Sequence, residues 1–206
     1  MTFSNEDIEG LKAEIKRRLS ESRYLHTLGV ARAAELLAVL CAPELVDEAV
    51  VAALLHDVSK EYSHNEQLHI ISEEKISIDR EDESTPAVLH SFTAPAVIKR
   101  DFEKFATPNV LSAALYHTIG SPDMSVFDEI IFLSDFIEDT RSYDSSIELR
   151  KYVFSNMKRG ATEDNIMVLH NACIKSIDFT MDHLKKNKKH INTKNILTRN
   201  ALLSKI

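Results

Sequence analysis

Pro43-Glu44-Leu45-Val46-Asp47-Glu48-Ala49-Val50-Val51-Ala52-Ala53-Leu54-Leu55-His56-Asp57-Val58-Ser59-Lys60 is the stretch whose reading decides the fold. Pro43 suits a first helical turn, where its missing N–H is no loss, and Glu44, Asp47 and Glu48 suit the positive end of the helix dipole. The apolar run Val50 to Leu55 marks a core helix, predicted over about 43–60. Outward from it, apolar residues recur at helical spacing almost throughout, and alternating strand-like runs are absent apart from Lys75–Ile78. Ser4 or Asn5 can cap a first helix with Ile8, Leu11, Ile15 and Leu19 on one face, and Ser22 can open a second that carries His26 to about Leu40. A short helix is expected near 64–74, followed by a polar surface connection, Glu73–Glu83. Pro86 starts a helix reaching His90, with a break or restart expected at Pro95. Thr107-Pro108 is a cap and first-turn proline for a helix ending at Tyr116 and His117. Ser121-Pro122-Asp123 marks a loop, and Ser125 with Asp128 forms a capping box for a helix over about 126–139. Two further helices, about 145–158 and 163–186, precede a basic tail. The expected fold is all-α, one domain over 1–206, with no internal repeat or linker.

Composition bounds the function. With 44% hydrophobic and 28% charged residues among 206, the chain falls in the range of soluble globular proteins. No window offers the ~18 uninterrupted apolar residues of a spanning helix. Glu6, Asp7, Glu9 and Glu14 argue against a secretory signal, so a cytoplasmic location and no membrane partner are expected. Cys41 and Cys173 are too few for a disulfide scaffold or a cysteine-ligated zinc module and read as buried, reduced thiols. None of the four glycines lies in a GxGxxG or GxxxxGK[ST] arrangement, which excludes those phosphate-binding loops. The net charge of −7 is unevenly spread: residues 185–206 hold six lysines and Arg199 with no acid, leaving 18 basic against 32 acidic residues, or −14, over 1–184. An anionic substrate must therefore be gathered by local cations. The tail reads as a solvated helix end rather than a nucleic-acid arm, and no nucleic-acid partner is expected.

Nine histidines are many for this length, and several fall in or at the ends of apolar helices. His26, the pair His56-Asp57, His90, His117 and Asp135, the last set in Ile130-Ile131-Phe132-Leu133-Ser134-Asp135-Phe136-Ile137, are the informative ones. A carboxylate in such apolar surroundings needs a strong partner, and a metal ion is one. Imidazole with carboxylate is a ligand set for iron, manganese or zinc, and four histidines with two aspartates suffice for two ions. Adjacent helix residues point about 100° apart, so His56 can face one ion while Asp57 bridges to another. His64, His69, His170, His183 and His190 lie in polar or peripheral contexts and read as structural.

The set His26, His56-Asp57 and Asp135 resembles the HD superfamily of metal-dependent phosphohydrolases, and the intervening His90 and His117 resemble the branch with a second metal position. The segments His56–Lys60, Leu89-His90-Ser91, Tyr116–Ser125 and Glu129–Arg141 look like those of the YqeK-type symmetrical dinucleoside tetraphosphatases, as does the tail Ile191–Leu203. The resemblance spans nearly the whole chain and is most specific over Tyr116–Arg141. Ser91, Phe92 and Asp139 depart from the family pattern without removing a ligand position, and Lys60-Glu61 stands where the alarmone-hydrolysing branch carries Glu-Asp.

The resemblance implies an HD domain with its metal-site core at about 22–141 and C-terminal helices plus the basic tail at 142–206. It implies hydrolysis of diadenosine tetraphosphate into two ADP, with iron as the cofactor, one or two ions, or else manganese or another divalent metal. By residue match, His26, His56, Asp57 and Asp135 hold a first ion, and Asp57 bridges to a second held by His90 and His117. His56, Asp57, His90 and His117 are the catalytic set. A metal-bound water of lowered pKa would attack phosphorus in line with the leaving oxygen. Arg23, Lys60, Thr118 and Arg141 are the expected phosphate and substrate ligands, and Asn195 and Arg199, with Lys194 near them, would close over the nucleotide from the tail. A homodimer is a family-level expectation. Two other readings compete: an HD nucleotidase or pyrophosphatase of different specificity, and a nucleotide-binding regulator without turnover.

Overall fold

The computed structural model describes residues 3–206, and among them are eleven α-helices and no strand. Two helices are buried nearly all round. In α3 (Val46–Leu55) every residue from Glu48 to Leu55 is buried, and in α8 (Val126–Ile137) every residue from Phe127 to Ser134 is buried. A helix without a polar face has to be surrounded. α3 packs against α1 (Asn5–Arg18), α2 (Glu21–Cys41), α7 (Pro108–Tyr116) and α8. α8 in turn packs against α2, α7, α9 (Asp144–Asn156) and α10 (Thr162–Lys186). One contiguous apolar cluster, from Phe3 to Leu202, results.

The caps follow local chemistry. Ser4 with Asp7 and Ser125 with Asp128 form complete capping boxes, and Thr107 caps α7 ahead of Pro108. Several sequence expectations need correction. α2 is capped by Ser20, whose Oγ accepts from the Arg23 N–H; Ser22 lies inside the first turn. The helix expected over 43–60 is a 3-10 turn, Pro43–Leu45, then α3 to Leu55, then tighter turns in which Lys60 N–H donates to the Asp57 carbonyl at 2.9 Å. Lys75–Ile78 is no strand, and Lys75 adopts a left-handed φ of 50° after α4 (His64–Glu73). The stretch Glu73–Glu83 is more than a surface connection: it contains α5 (Arg80–Glu83), whose Asp82 is fully buried. Pro95 does not break its helix. α6 (Leu89–Asp101) runs through it, losing only the N–H that would meet the Ser91 carbonyl. The basic tail is a solvated helix end only in part: Lys185, Lys186, Lys188 and Lys189 are exposed where α10 ends, but the rest is not. It forms α11 (Thr193–Leu203), packed on α10, with Lys194 ion-paired to Asp79 and Asp82, and Lys205 to the fully buried Glu129, which also accepts from His170 at 2.5 Å.

α2 is the one described helix with the length and apolarity of a membrane span, but half of that window is buried in the core. It supplies site residues at its start, as shown next.

Candidate active site

Five helix ends converge. His56 and Asp57 follow α3, His117 follows α7, His90 opens α6, Asp135 lies in the last turn of α8, and His26 lies in the second turn of α2. Two of the imidazoles are held by their own helices: His56 Nδ1–H donates to the Ala53 carbonyl at 2.6 Å and His117 Nδ1–H to the Ala114 carbonyl at 2.8 Å. A carbonyl only accepts, so Nδ1 carries the proton and each Nε2 presents a lone pair to the site. Ser59 Oγ donates to the His90 carbonyl at 2.9 Å and meets Thr93 Oγ1 at 2.8 Å, which ties the turn after α3 to α6.

Asp57 is the hinge of the arrangement. Its Oδ2 faces Arg23 (2.9 Å), His56 Nε2 (3.6 Å) and His26 Nε2 (3.9 Å), while Oδ1 lies 3.3 Å from both His90 Nε2 and His117 Nε2. Beyond the first group, His26 Nε2 is 3.0 Å from Asp135 Oδ1; within the second, His90 and His117 Nε2 are 3.1 Å apart. Burial pushes the Asp57 carboxyl up, but His56, His117 and His90 outweigh it and hold it well below the usual carboxylate range. Asp135 is held low against burial in the same way, by Arg141 and His26. Burial lowers His56 and His90 to about 4, so both are neutral near pH 7. His26 is different: burial lowers it, yet Asp135 and Glu138 prevail and raise it to about 9.

These residues fit a divalent metal. His56 Nε2 is fully buried with no hydrogen-bond partner, a state that costs roughly 1–3 kcal/mol unless something binds there. His26, His56 and Asp135 offer ligand atoms within 4.8 Å of one another, as do His56, Asp57 and His117. Donors at about 2.1 Å from one ion stand about 3.0–3.5 Å apart, the spacing of the His26–Asp135 and His90–His117 pairs. Ionised carboxylates and the neutral imidazoles of His56 and His90 are the forms that ligate, and His26, held protonated by Asp135 and Glu138, must give up its proton to join them.

Of the expected substrate ligands, the structure brings four to this cluster. Lys60 Nζ is 3.1 Å from His90 Nε2, its pKa lowered by burial; Thr118 Oγ1 is 3.0 Å from both His90 and His117 Nε2. Arg23 is on Asp57, and Arg141 donates to Asp135 Oδ1 at 2.6 Å. The tail residues are elsewhere. Arg199 is paired with Asp178 of α10 at 2.5 Å, and the buried Asn195 donates its amide to the Ile119 carbonyl at 3.2 Å. Asn195 thus backs the loop that follows His117, while Arg199 is held on α10. Gly120 in that loop has φ +72° and lets Thr198 approach to where a Cβ would stand 2.6 Å from Cγ2.

Two residues escape sequence reasoning. Glu138 is 1% exposed, accepts from Thr140 N–H (2.6 Å) and Oγ1–H (2.8 Å), and lies 3.3 Å from His26 Nδ1, where it orients the ring. Its i+3 spacing from Asp135 was the available signal. Arg150 of α9 donates to the carbonyls of Ile137 (2.6 Å), Glu138 and Arg141 (3.1 Å), and so fixes the loop that ends α8. Nothing in the sequence marks it.

A helical bundle with His and Asp donors converging from helix ends defines a class. Residues 23–142 match the HD domain model, and the chain belongs to the HD domain family. It is 30% identical over 190 residues to the "Bis(5'-nucleosyl)-tetraphosphatase, symmetrical" of Bacillus subtilis (strain 168), covering 92% of this chain and 94% of that one. To the protein of the same name from Halalkalibacterium halodurans it is 31% identical over 189 residues, 92% and 93% of the two chains. Its family within the HD proteins is therefore that of the symmetrical bis(5'-nucleosyl)-tetraphosphatases. A crystal structure described as a predicted HD superfamily hydrolase involved in NAD metabolism, from Clostridium acetobutylicum, superposes with a TM-score of 0.83 at 26% identity over the full length of both chains.

Proposed function

We propose that this protein is a metal-dependent hydrolase that cuts diadenosine tetraphosphate and related dinucleoside polyphosphates at the central anhydride, giving two ADP. The observation that carries the reading is Asp57, whose two oxygens face two groups of imidazoles, His56 Nε2 among them buried without a hydrogen-bond partner. In this reading His26, His56, Asp57 and Asp135 hold one divalent ion, and Asp57, His90 and His117 hold a second; iron is the proposed ion. When bound, such ions lower the pKa of a coordinated water toward neutrality and neutralise phosphate oxygens.

The chain's own groups do the rest. Ala53 and Ala114 carbonyls keep His56 and His117 in the tautomer that binds through Nε2, and Glu138 does the equivalent for His26. Lys60, Arg141 and Arg23 supply positive charge beside the carboxylates, where a tetraphosphate must lie in an otherwise acidic protein. Thr118 Oγ is placed to donate to a phosphate oxygen. In the net reaction one water oxygen becomes a terminal oxygen of one ADP, and the bridging oxygen leaves with the other.

The test is product analysis of diadenosine tetraphosphate with purified protein, a chelated control, and metal content read on the same sample. ADP alone, lost on chelation, is expected. AMP with ATP would replace the symmetrical cut by an asymmetric one, and no turnover with iron or manganese restored would refute the reading.

A further inference from the structure

Two cavities reach the donor cluster, and they differ in chemistry. The first, about 360 Å³, has a polar end at His117, Thr118 and Asp135 and an apolar wall that includes Phe132, Phe136 of α8 and Phe179 of α10. The rings of Phe136 and Phe179 are nearly parallel, 11° apart in plane with centroids separated by 6.3 Å. The second cavity, about 410 Å³, opens from His26 along Ser22, Arg23, Thr140 and Ser142 and has no aromatic wall of its own. Arg141 and Tyr143 line both, and Tyr143, at the first residue before α9, is 68% exposed. Each volume lies within the roughly 300–1,000 Å³ typical of small-molecule sites.

A cut at the central anhydride requires the middle of the substrate to lie at the donor cluster, so its two nucleoside halves must extend away from it along different paths. We infer that the two halves are received unequally: one base stacks in the aromatic cleft of Phe136 and Phe179, and the second half lies in the Ser22–Arg23 groove, held by phosphate and ribose contacts rather than through its base. The inference rests on the proposed hydrolysis for its substrate. Near-parallel rings present faces of one orientation, on which a planar base stacks irrespective of its hydrogen-bonding edge. The groove offers hydroxyls and guanidinium groups, which contact a phosphodiester chain and a sugar but leave a base without a stacking partner except the exposed Tyr143. Base recognition then resides in one half of a chemically symmetrical substrate. Phe179 is a base-binding residue, remote in sequence from every donor of the cluster.

The experiment compares the protein with Phe179→Leu, which keeps apolar volume but removes the ring, and with Phe179→Tyr, which restores a ring. Two substrates are used, diadenosine tetraphosphate and adenosine 5'-tetraphosphate, which lacks one nucleoside; ADP binding is measured separately by calorimetry. Phe179→Leu is expected to raise KM for both substrates, and Kd for ADP, by about 5- to 150-fold with kcat little changed, as loss of one base–aromatic stack implies. Phe179→Tyr is expected to stay near the parent protein. In the parent, removing one nucleoside is expected to raise KM less than Phe179→Leu does. Unchanged ADP affinity in Phe179→Leu overturns the aromatic cleft. A loss on removing one nucleoside as large as the Phe179→Leu effect overturns the inequality of the halves. Should the parent fail to hydrolyse either substrate, the proposed function fails, and the ADP calorimetry still decides the cleft.

Discussion

Gly29 and Gly10 make a paired test of how the site is supported. Both lie inside helices, so replacing either by alanine removes backbone freedom from the unfolded chain and stabilises the helix by roughly 0.5–1 kcal/mol. At Gly10 a Cβ meets nothing within 4 Å, and the whole gain should appear. At Gly29, one turn after His26, a Cβ would stand 2.3 Å from Glu138 Oε2 and 3.2 Å from Asp139 Oδ1. Glu138 must then move by about an ångström from a buried position where Thr140 donates to it twice. Overpacking of that kind costs about 1–3 kcal/mol, so Gly29→Ala should be destabilising by up to about 2 kcal/mol after the helix gain. The functional consequence is sharper. Displacing Glu138 frees His26 Nδ1, and loss of such an orienting partner lowers metal affinity about 10- to 100-fold. Urea denaturation of the metal-free variants and a chelator-competition titration read the two effects. If Gly29→Ala gains stability as Gly10→Ala does and keeps its metal affinity, the claim that Glu138 orients His26 is wrong.

Other outcomes follow from the same structure. Glu129, fully buried between His170 and Lys205, should couple to the C-terminal segment: a double-mutant cycle of Glu129→Gln and Lys205→Met is expected to show at least about 1 kcal/mol of interaction, and additivity would mean Lys205 is merely a surface charge. Arg199→Ala should leave KM unchanged and cost at most about 1 kcal/mol of stability, because its partner Asp178 is well exposed; a raised KM would return Arg199 to the substrate site. Burial pushes the Cys41 thiol up to about 12 and Cys173 well above its usual value, so at pH 8 the thiolate fraction is on the order of 10⁻⁴ or less. Neither should react with a disulfide reagent until urea unfolds the chain, and rapid labelling of the native protein would contradict their burial. Asp57→Ala should abolish both metal retention and hydrolysis, with retained activity excluding a metal mechanism.

Much of the fold is legible locally. Caps at Ser4, Thr107 and Ser125, the proline at position 108 and the apolar run Val50–Leu55 are short-range signals, and each helix they predict is present. The misreadings share a cause. Pro95, the polar stretch around Asp82 and the lysine-rich end look like interruptions or solvated segments when only neighbours in sequence are counted. The last two are satisfied by something distant: Asp82 by Asn192 and Lys194, and Lys205 by Glu129 and the Met124 carbonyl.

The candidate site divides along the same line. Residue type and helix placement draw attention to His26, His56, Asp57, His90, His117 and Asp135, and the resemblance to the HD phosphohydrolases is what assigns them as ligands. Which groups support them is a tertiary matter. Glu138 reaches His26 only because Gly29 has no side chain, and Arg150 holds the loop after α8 through carbonyls, which every residue has and no sequence pattern marks. Asn195 and Arg199 have the chemistry of nucleotide ligands, yet packing of α11 spends them on Ile119 and Asp178. Side-chain chemistry is written residue by residue, whereas the partner that uses it depends on distances between segments as far apart as α2 and α11, and only the packed bundle sets those.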